Sequence, residues 1–587
     1  MPLLALIPLA LATAEYDPTA PAQRFTGQEV YTIDGSFQLW SAIERHEDPD
    51  RRLFGQDTFN SATEWPSGAA WAPWIVDCFG DASPHSSSFL LHMGVHEATA
   101  TGTPILFVPG AGDNGSRGFI TMATNLDADG RPVYAITFAH PHGDVFQHAE
   151  VIADAIARIK ERTGAEQVDL VAHSKGGVSA AVYVSHTASA DWGGGAYERV
   201  GTPYRGDVRR LVLAGTPLGG IDTAYRWTSI NLLLIDADTA MAPTSWSTYY
   251  PSTSTYYWIY SDLEDQDMHP TGMDLFPGQR QILARQSPTL PGEMPWLGSY
   301  AVQWDWYTTY EGGLGFYSSS NGIDDAIADG GDLIAKLADQ GADPEVEIFL
   351  LAGENPIMPN ASQDYLAQIY GQAWIDLATV GTDIWAALGA QLVGQSLVSQ
   401  GFEQEDVQGL AQGKLVLGEI TGPSDGLVFV DSATKEAALT GRGATISQTY
   451  VANLSHLDLL NASVTYGAQL VAEADADPVE DGWKAAVGRR FIEADTIGWL
   501  REVLADPEDT GVPSDDTGIS TDDTGGADDT GVATDDSGAA TDDSSATDDT
   551  GSGGGDGKSG GRCGVAPAAG AWALFAALGL AVRRRRR

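Results

Sequence analysis

Cysteine is almost absent from this chain of 587 residues, with Cys78 and Cys563 its only two. With Cys563 placed at the C-terminal tail, Cys78 has no second cysteine in the chain to form a disulfide with, which excludes a disulfide-stapled scaffold and leaves folding to an apolar core. The setting Trp74-Ile-Val-Asp-Cys78-Phe79 reads as a buried apolar segment, not as a reactive thiol. Basic residues are scarce as well: 32 Lys and Arg stand against 80 Asp and Glu, a formal charge of −48 at pH 7. Nucleic acid and anionic membrane surfaces repel such a chain, so neither is expected as a partner. Apolar residues are not lacking. At 43% hydrophobic the chain is too apolar to be largely disordered and too long for one compact domain, which favours one large domain with appendages.

Both ends read as appendages. Residues 1–14 form an apolar run closed by Ala12-Thr13-Ala14, a secretory signal peptide cut after Ala14, although no Lys or Arg precedes the run. Residues 15–100 are a mixed, aromatic, Gly- and Pro-punctuated N-terminal extension without a functional signature. Residues 506–562 are rich in Asp, Thr, Ser, Gly and Ala, with Asp pairs starting at 515, 522, 528, 535, 542 and 548. With very few large apolar side chains, this stretch reads as a solvated, self-repelling linker with a reach on the order of 40 Å. Its Asp pairs lack the alternating ligand spacing of a calcium loop. Cys563, the apolar stretch from Gly564 to Val582 and the arginines 583–587 then close the chain. A helix of that length, at ~1.5 Å per residue, matches a bilayer core of about 30 Å, with the arginines inside and all that precedes them outside. This tail resembles the MYXO-CTERM sorting signal of exported myxobacterial proteins. That resemblance implies recognition by a sorting and processing machinery at Cys563 and display at the cell surface or outer envelope.

Between the ends, at 101–505, the text becomes rhythmic. Apolar runs at 104–108, 133–138, 168–172, 210–214 and 346–351 suit buried parallel strands. Helical periodicity at 151–162, closed by Gly164, and at 178–184 alternates with them. The pattern predicts an α/β domain, a mostly parallel sheet with helices on both faces. An aromatic-rich insertion at about 221–345, with Trp246, Tyr256, Trp258, Trp304 and Trp306, reads as a cap over the sheet, its aromatics forming either its own core or an acyl pocket.

The candidate nucleophile is Ser174, in Ala172-His-Ser-Lys-Gly-Gly177, directly after a strand and opening a helix. A nucleophilic serine needs its hydroxyl presented on a tight strand-to-helix turn with small neighbours, and the helix N-terminus favours the charge formed in acyl transfer. It also needs a base and an acid that orients the base. On such a sheet the chain order is Ser, acid, His. Of the eleven histidines only His186, His269 and His456 follow Ser174, and only His456 lies beyond the strand that could carry the acid. Asp425, in Gly422-Pro-Ser-Asp-Gly-Leu-Val428 after a strand-like 414–417, is the leading acid, with Asp431 and Glu354 as competitors. The oxyanion would be held by backbone N–H groups of Lys175 and of Ala111 or its neighbour Gly112, in the loop after the first parallel strand. The constellation His140-Pro-His-Gly-Asp144 with His148 has metallohydrolase-like spacing, but Val145 stands where a further histidine would be wanted. It reads as a polar active-site loop, and no metal is assigned.

These pieces together resemble the bacterial extracellular lipases and secreted polyhydroxyalkanoate depolymerases of the α/β-hydrolase superfamily. The similarity spans roughly 103–220 and 346–460 and is carried by Gln167–Ser174, Leu211-Val-Leu-Ala-Gly-Thr-Pro217, Ser424-Asp-Gly-Leu-Val428 and Ser455-His-Leu-Asp458. It implies a Ser174–His456–Asp425 triad, an apolar lipid or polyester ester as substrate, no organic cofactor, and a structural calcium at Asp458. Pro109, where that family has histidine, and Lys175, where it has a neutral residue, are departures. An amidase or peptidase on the same fold, and a surface binding protein on a degenerate hydrolase scaffold, are the alternatives.

Overall fold

The computed structural model describes residues 23–26, 30–32, 35–37, 40–47, 78–80, 84, 87–111, 113–115, 118–141, 143–193, 202–223, 248–249, 256–259, 277–286, 310–314, 318–320, 322–358, 415–416, 422–478, 482 and 484–506. The leader at 1–14, most of the insertion at 221–345, nearly all of the linker and the whole tail at 563–587 lie outside the described residues. Among the described residues no helix is long and apolar enough to cross a membrane.

Each predicted apolar run becomes a strand of one nine-stranded sheet: β1 (Gln23–Thr26), β2 (Trp40–His46), β3 (Phe89–Gly94), β4 (Ile105–Val108), β5 (Val133–Phe138), β6 (Val168–His173), β7 (Val208–Ala214), β8 (Glu347–Gly353) and β9 (Ile446–Ala452). The spatial order is β1-β2-β3-β5-β4-β6-β7-β8-β9. From β5 to β9 every pairing is parallel, whereas β1, β2 and β3 join antiparallel. Three strands therefore come from within 15–100, so the sheet domain starts well before residue 101. Trp40–His46 and Phe89–Gly94 are adjacent in the sheet but more than forty positions apart in sequence, so no short turn marks their pairing, although a small hairpin, Val30–Thr32 with Gly35–Phe37, lies earlier in the extension.

Side chains alternate across the sheet, and so do its two cores. Leu106 and Val108 of β4 point into a core with α2 (Val145–Thr163), α3 (Ser174–Ser185) and α4 (Leu333–Gln340). Ile105 and Phe107 point into the opposite core with α1 (Ile120–Ala128), α5 (Val464–Ala476), α6 (Lys484–Ala494) and α7 (Thr496–Leu504). Helices thus cover both faces, which is why the parallel strands read as unbroken apolar runs. Each fully buried Leu, Ile or Phe contributes about 1.5–3 kcal/mol.

Two helix starts differ from the periodicity. α2 begins at Val145, because the Asp144 side chain accepts from the N–H groups of Phe146 and Gln147 as an N-cap; it ends at Gly164 in the left-handed conformation. α3 begins at Ser174 itself. Asp506, placed by composition in the linker, belongs to the folded unit: its carboxylate accepts from Thr103 N–H (3.2 Å) and hydroxyl (3.1 Å) and pairs with Arg209.

Candidate active site

The chain leaves β4 leftward to β5 and returns to β6 on the other side of β4, so the carboxyl ends of β4 and β6 flank a switch point of the sheet. Connections diverge there, the place where open parallel sheets commonly bind their ligands. Ser174 stands at the end of β6 with φ 53°, one of three non-glycine residues with positive φ among the described residues. That conformation costs an L-residue about 1–2 kcal/mol, and the side chain it presents is half-buried, not sealed. The loop after β4 runs directly beside it. A Cβ on Gly110 would lie 2.9 Å from Ser174 Cβ, and one on Gly176 would strike the Pro109 carbonyl. The small residues on both sides are therefore demanded by the close approach of the two backbones. Gly112 and His142 lie outside the described residues.

Asp425 and His456, separated by 31 positions, meet at the same edge. His456 Nδ1 donates to Asp425 Oδ2 at 2.7 Å, and both side chains are buried. The pair is held from several sides. Asp425 Oδ1 accepts from the N–H groups of Leu427 (3.0 Å) and Val428 (2.7 Å), and His456 N–H donates to the Asp425 carbonyl at 2.9 Å. Gly215, at the end of β7 with φ +53°, has no room for a side chain: its Cβ would come 3.0 Å from His456 Nδ1 and 3.2 Å from Asp425 Oδ2. The strand-like 414–417 that suggested Asp425 in sequence is a two-residue strand, Leu415–Val416, paired with Ile357–Met358 outside the main sheet. Asp425 is instead seated against the end of β8, its Cβ 2.7 Å from where Gly353 would carry one.

The competing carboxylates have other surroundings. Glu354, next after β8, is exposed, its N–H donating to the Ala452 carbonyl; Asp431 sits exposed in the first turn of the short helix Val430–Ala433. Asp458 is half-buried and accepts from the Ser455 hydroxyl at 2.8 Å; desolvation of its carboxyl raises its pKa despite that hydrogen bond and the charge of Arg490. Among the described residues no group of three or more His, Cys, Asp or Glu side chains is gathered to hold a metal ion, at Asp458 or at His140 and His148.

Two residues were missed by the sequence reading. His173, beside the nucleophile, has Nε2 3.0 Å from the His456 carbonyl, with its ring centroid 4.5 Å from that of His456. Since a carbonyl only accepts, His173 carries its proton on Nε2 and ties the elbow to the histidine loop. Gln281, from the insertion, donates from Nε2 to Asp144 Oδ2 at 2.7 Å, and its Oε1 accepts from Val145 N–H at 2.7 Å. No sequence signal marks either role, since a histidine or glutamine at these positions has no diagnostic spacing.

No known protein-family profile matches this chain, and no curated protein matches it. Among solved structures it is similar to the mature form of a Bacillus licheniformis lipase, at 14% identity and TM-score 0.29, over 65% of this chain and 97% of that one. A gene product of Listeria innocua follows at 13% identity and TM-score 0.25, over 61% and 89%. A thermostable carboxyl esterase of Bacillus coagulans, solved with glycerol, shows 14% identity and TM-score 0.22, over 49% and 82%. At such scores the likeness carries no argument. What the chain itself shows is a mostly parallel sheet with helices on both faces and a tight strand–Ser174–helix turn.

Proposed function

We propose that the chain is a serine-dependent carboxylic ester hydrolase. The observation that carries this reading is the buried Asp425–His456 pair at the same sheet edge as a serine held at φ 53° on a strand-to-helix turn. His456, with Nδ1 engaged by Asp425, keeps Nε2 as a base for the Ser174 hydroxyl. Ser174 Oγ attacks the ester carbonyl, and the proton passes to His456. The oxyanion is held by the backbone N–H groups of Lys175 and Ala111, aided by the N-terminus of α3. His456 then protonates the leaving alcohol; water, deprotonated by the same imidazole, attacks the acyl-enzyme and releases the acid and Ser174. No step calls for an organic cofactor.

The substrate we propose is an apolar lipid or polyester ester, on the strength of the aromatic insertion, and the site of action is outside the cell. The apolar leader, the acidic linker and the Cys563–arginine tail support export and retention at the envelope, through the tail helix or through processing at Cys563.

The test is hydrolysis of p-nitrophenyl esters of graded chain length by residues 15–509, with Ser174→Ala beside the wild type. Activity lost in Ser174→Ala supports the mechanism. Activity that survives it rejects Ser174, and a wild type active only on amides or on nothing favours an amidase or a binding protein.

A further inference from the structure

The His140–His148 segment, with the look of a metal motif in sequence, has a different occupant in the fold. Lys175 is 1% exposed, and its Nζ lies 2.8 Å from His148 Nδ1. His148 Nε2 is 2.8 Å from the His140 carbonyl, an acceptor, so Nε2 carries the ring proton and Nδ1 accepts from the lysine. The imidazole is itself fixed by stacking on Phe138, centroids 3.7 Å apart and planes 2° from parallel. Asp144, fully buried, is near enough for the Lys175 charge to act on its carboxyl. Burial pushes that carboxyl up to about 7 against the Gln147 N–H, the Gln281 amide, Lys175 and the Phe146 N–H. Gly278 of the insertion closes over the lysine stem, leaving no space for a Cβ beside Cε and Nζ.

We propose that this cradle stores the Lys175 side chain as a buried ammonium beneath the amide of the same residue, where its charge stabilises the oxyanion formed on attack by Ser174. The inference rests on the ester-hydrolase reading. A charge carried by the residue whose own N–H meets the oxyanion lies within a lysine's length of it. At a separation of about 7 Å and an effective dielectric constant of about 20, two unit charges attract by an amount equal to roughly 50-fold in rate. Partial ionisation of Asp144 opposes the ammonium and reduces that factor. The ground-state ester is neutral at its carbonyl, so the attraction acts on kcat and leaves KM nearly alone. Lys175 is in this respect a positioning residue for charge; its backbone N–H, not its ammonium, touches the reacting oxygen. His148 and Asp144 position the lysine.

The experiment compares the full chain with Lys175→Met and Lys175→Arg on one p-nitrophenyl ester, with thermal melts as a check on folding. Lys175→Met keeps the stem and removes the charge; kcat falls about 10- to 50-fold with KM within twofold. Inhibition by an alkyl trifluoromethyl ketone, which forms an oxyanion on the serine, weakens by a similar factor, and Lys175→Arg recovers most of both losses. Should Lys175→Met fail to fold, Lys175→Gln is read in its place. A folded charge-free variant with kcat within twofold of wild type overturns the inference, as does a loss confined to KM or an Arg variant as slow as the Met variant. With wild type active and Ser174→Ala inactive, those results leave the hydrolase reading intact; an inactive wild type removes both.

Discussion

Replacing Asp425 by Asn tests the proposed site at its best-defined contact. The substitution changes almost no volume, yet the surroundings dictate how the new amide must lie. Oδ1 accepts from the N–H groups of Leu427 and Val428, at 3.0 and 2.7 Å, so the asparagine oxygen is retained there and its NH2 group takes the place of Oδ2. That NH2 faces His456 Nδ1, now 2.7 Å from a carboxylate oxygen, and can only donate to it. The ring is driven to the tautomer with its proton on Nε2, and a protonated Nε2 cannot take the serine proton. Losses of this origin are about 10⁴-fold in kcat, equal to about 5.5 kcal/mol of barrier. The assay is steady-state hydrolysis of a p-nitrophenyl ester near neutral pH, with a melt to show that the variant is folded. Glu354→Gln is the companion variant and leaves kcat within twofold, since that side chain is exposed. A folded Asp425→Asn enzyme retaining more than a tenth of wild-type kcat would refute the argument, and loss in Glu354→Gln would move the acid to Glu354.

Gly110→Ala sets a methyl 2.9 Å from Ser174 Cβ and 3.2 Å from His173 Nδ1, displacing the loop that carries Ala111; kcat drops about 100-fold. Unchanged turnover in a variant whose melt matches wild type would exclude that loop from oxyanion binding. His92 is wholly buried against Thr137, and burial pushes its pKa down to about 3 from 6.5. The unfolded chain therefore binds the extra proton between those values, so this contribution to stability is complete above pH 6.5 and is lost as pH falls toward 3. Its slope is at most about 1.4 kcal/mol per pH unit; denaturant midpoints across that range should lose part of their pH dependence in His92→Gln, and an identical profile rejects the assignment. Asp506→Ala removes the acceptor for Thr103 and the partner of Arg209, lowering stability by about 1 kcal/mol, since the pair is partly exposed. An unmoved denaturant midpoint would return Asp506 to the linker.

The parallel strands and the elbow were legible because each is local: a buried strand writes itself as an apolar run, and Ser174 follows one immediately. Asp425 and His456 were found by chain order and turn chemistry, although the strand used to support Asp425 lies outside the main sheet. The extent of the domain was not legible, since membership of Trp40–His46 and Phe89–Gly94 in the sheet depends on partners far along the chain. Nor was the role of His140–His148.

Local residue order thus determined where strands begin, where a helix must start and which side chains could do the chemistry, because those follow from backbone sterics and side-chain pattern within a few residues. Only tertiary structure decided what each polar group faces. His148 meets a lysine 27 positions away, and His173 meets a carbonyl 283 positions away. Contacts of that separation are set by how the sheet is ordered and crossed, and no spacing within either segment encodes them.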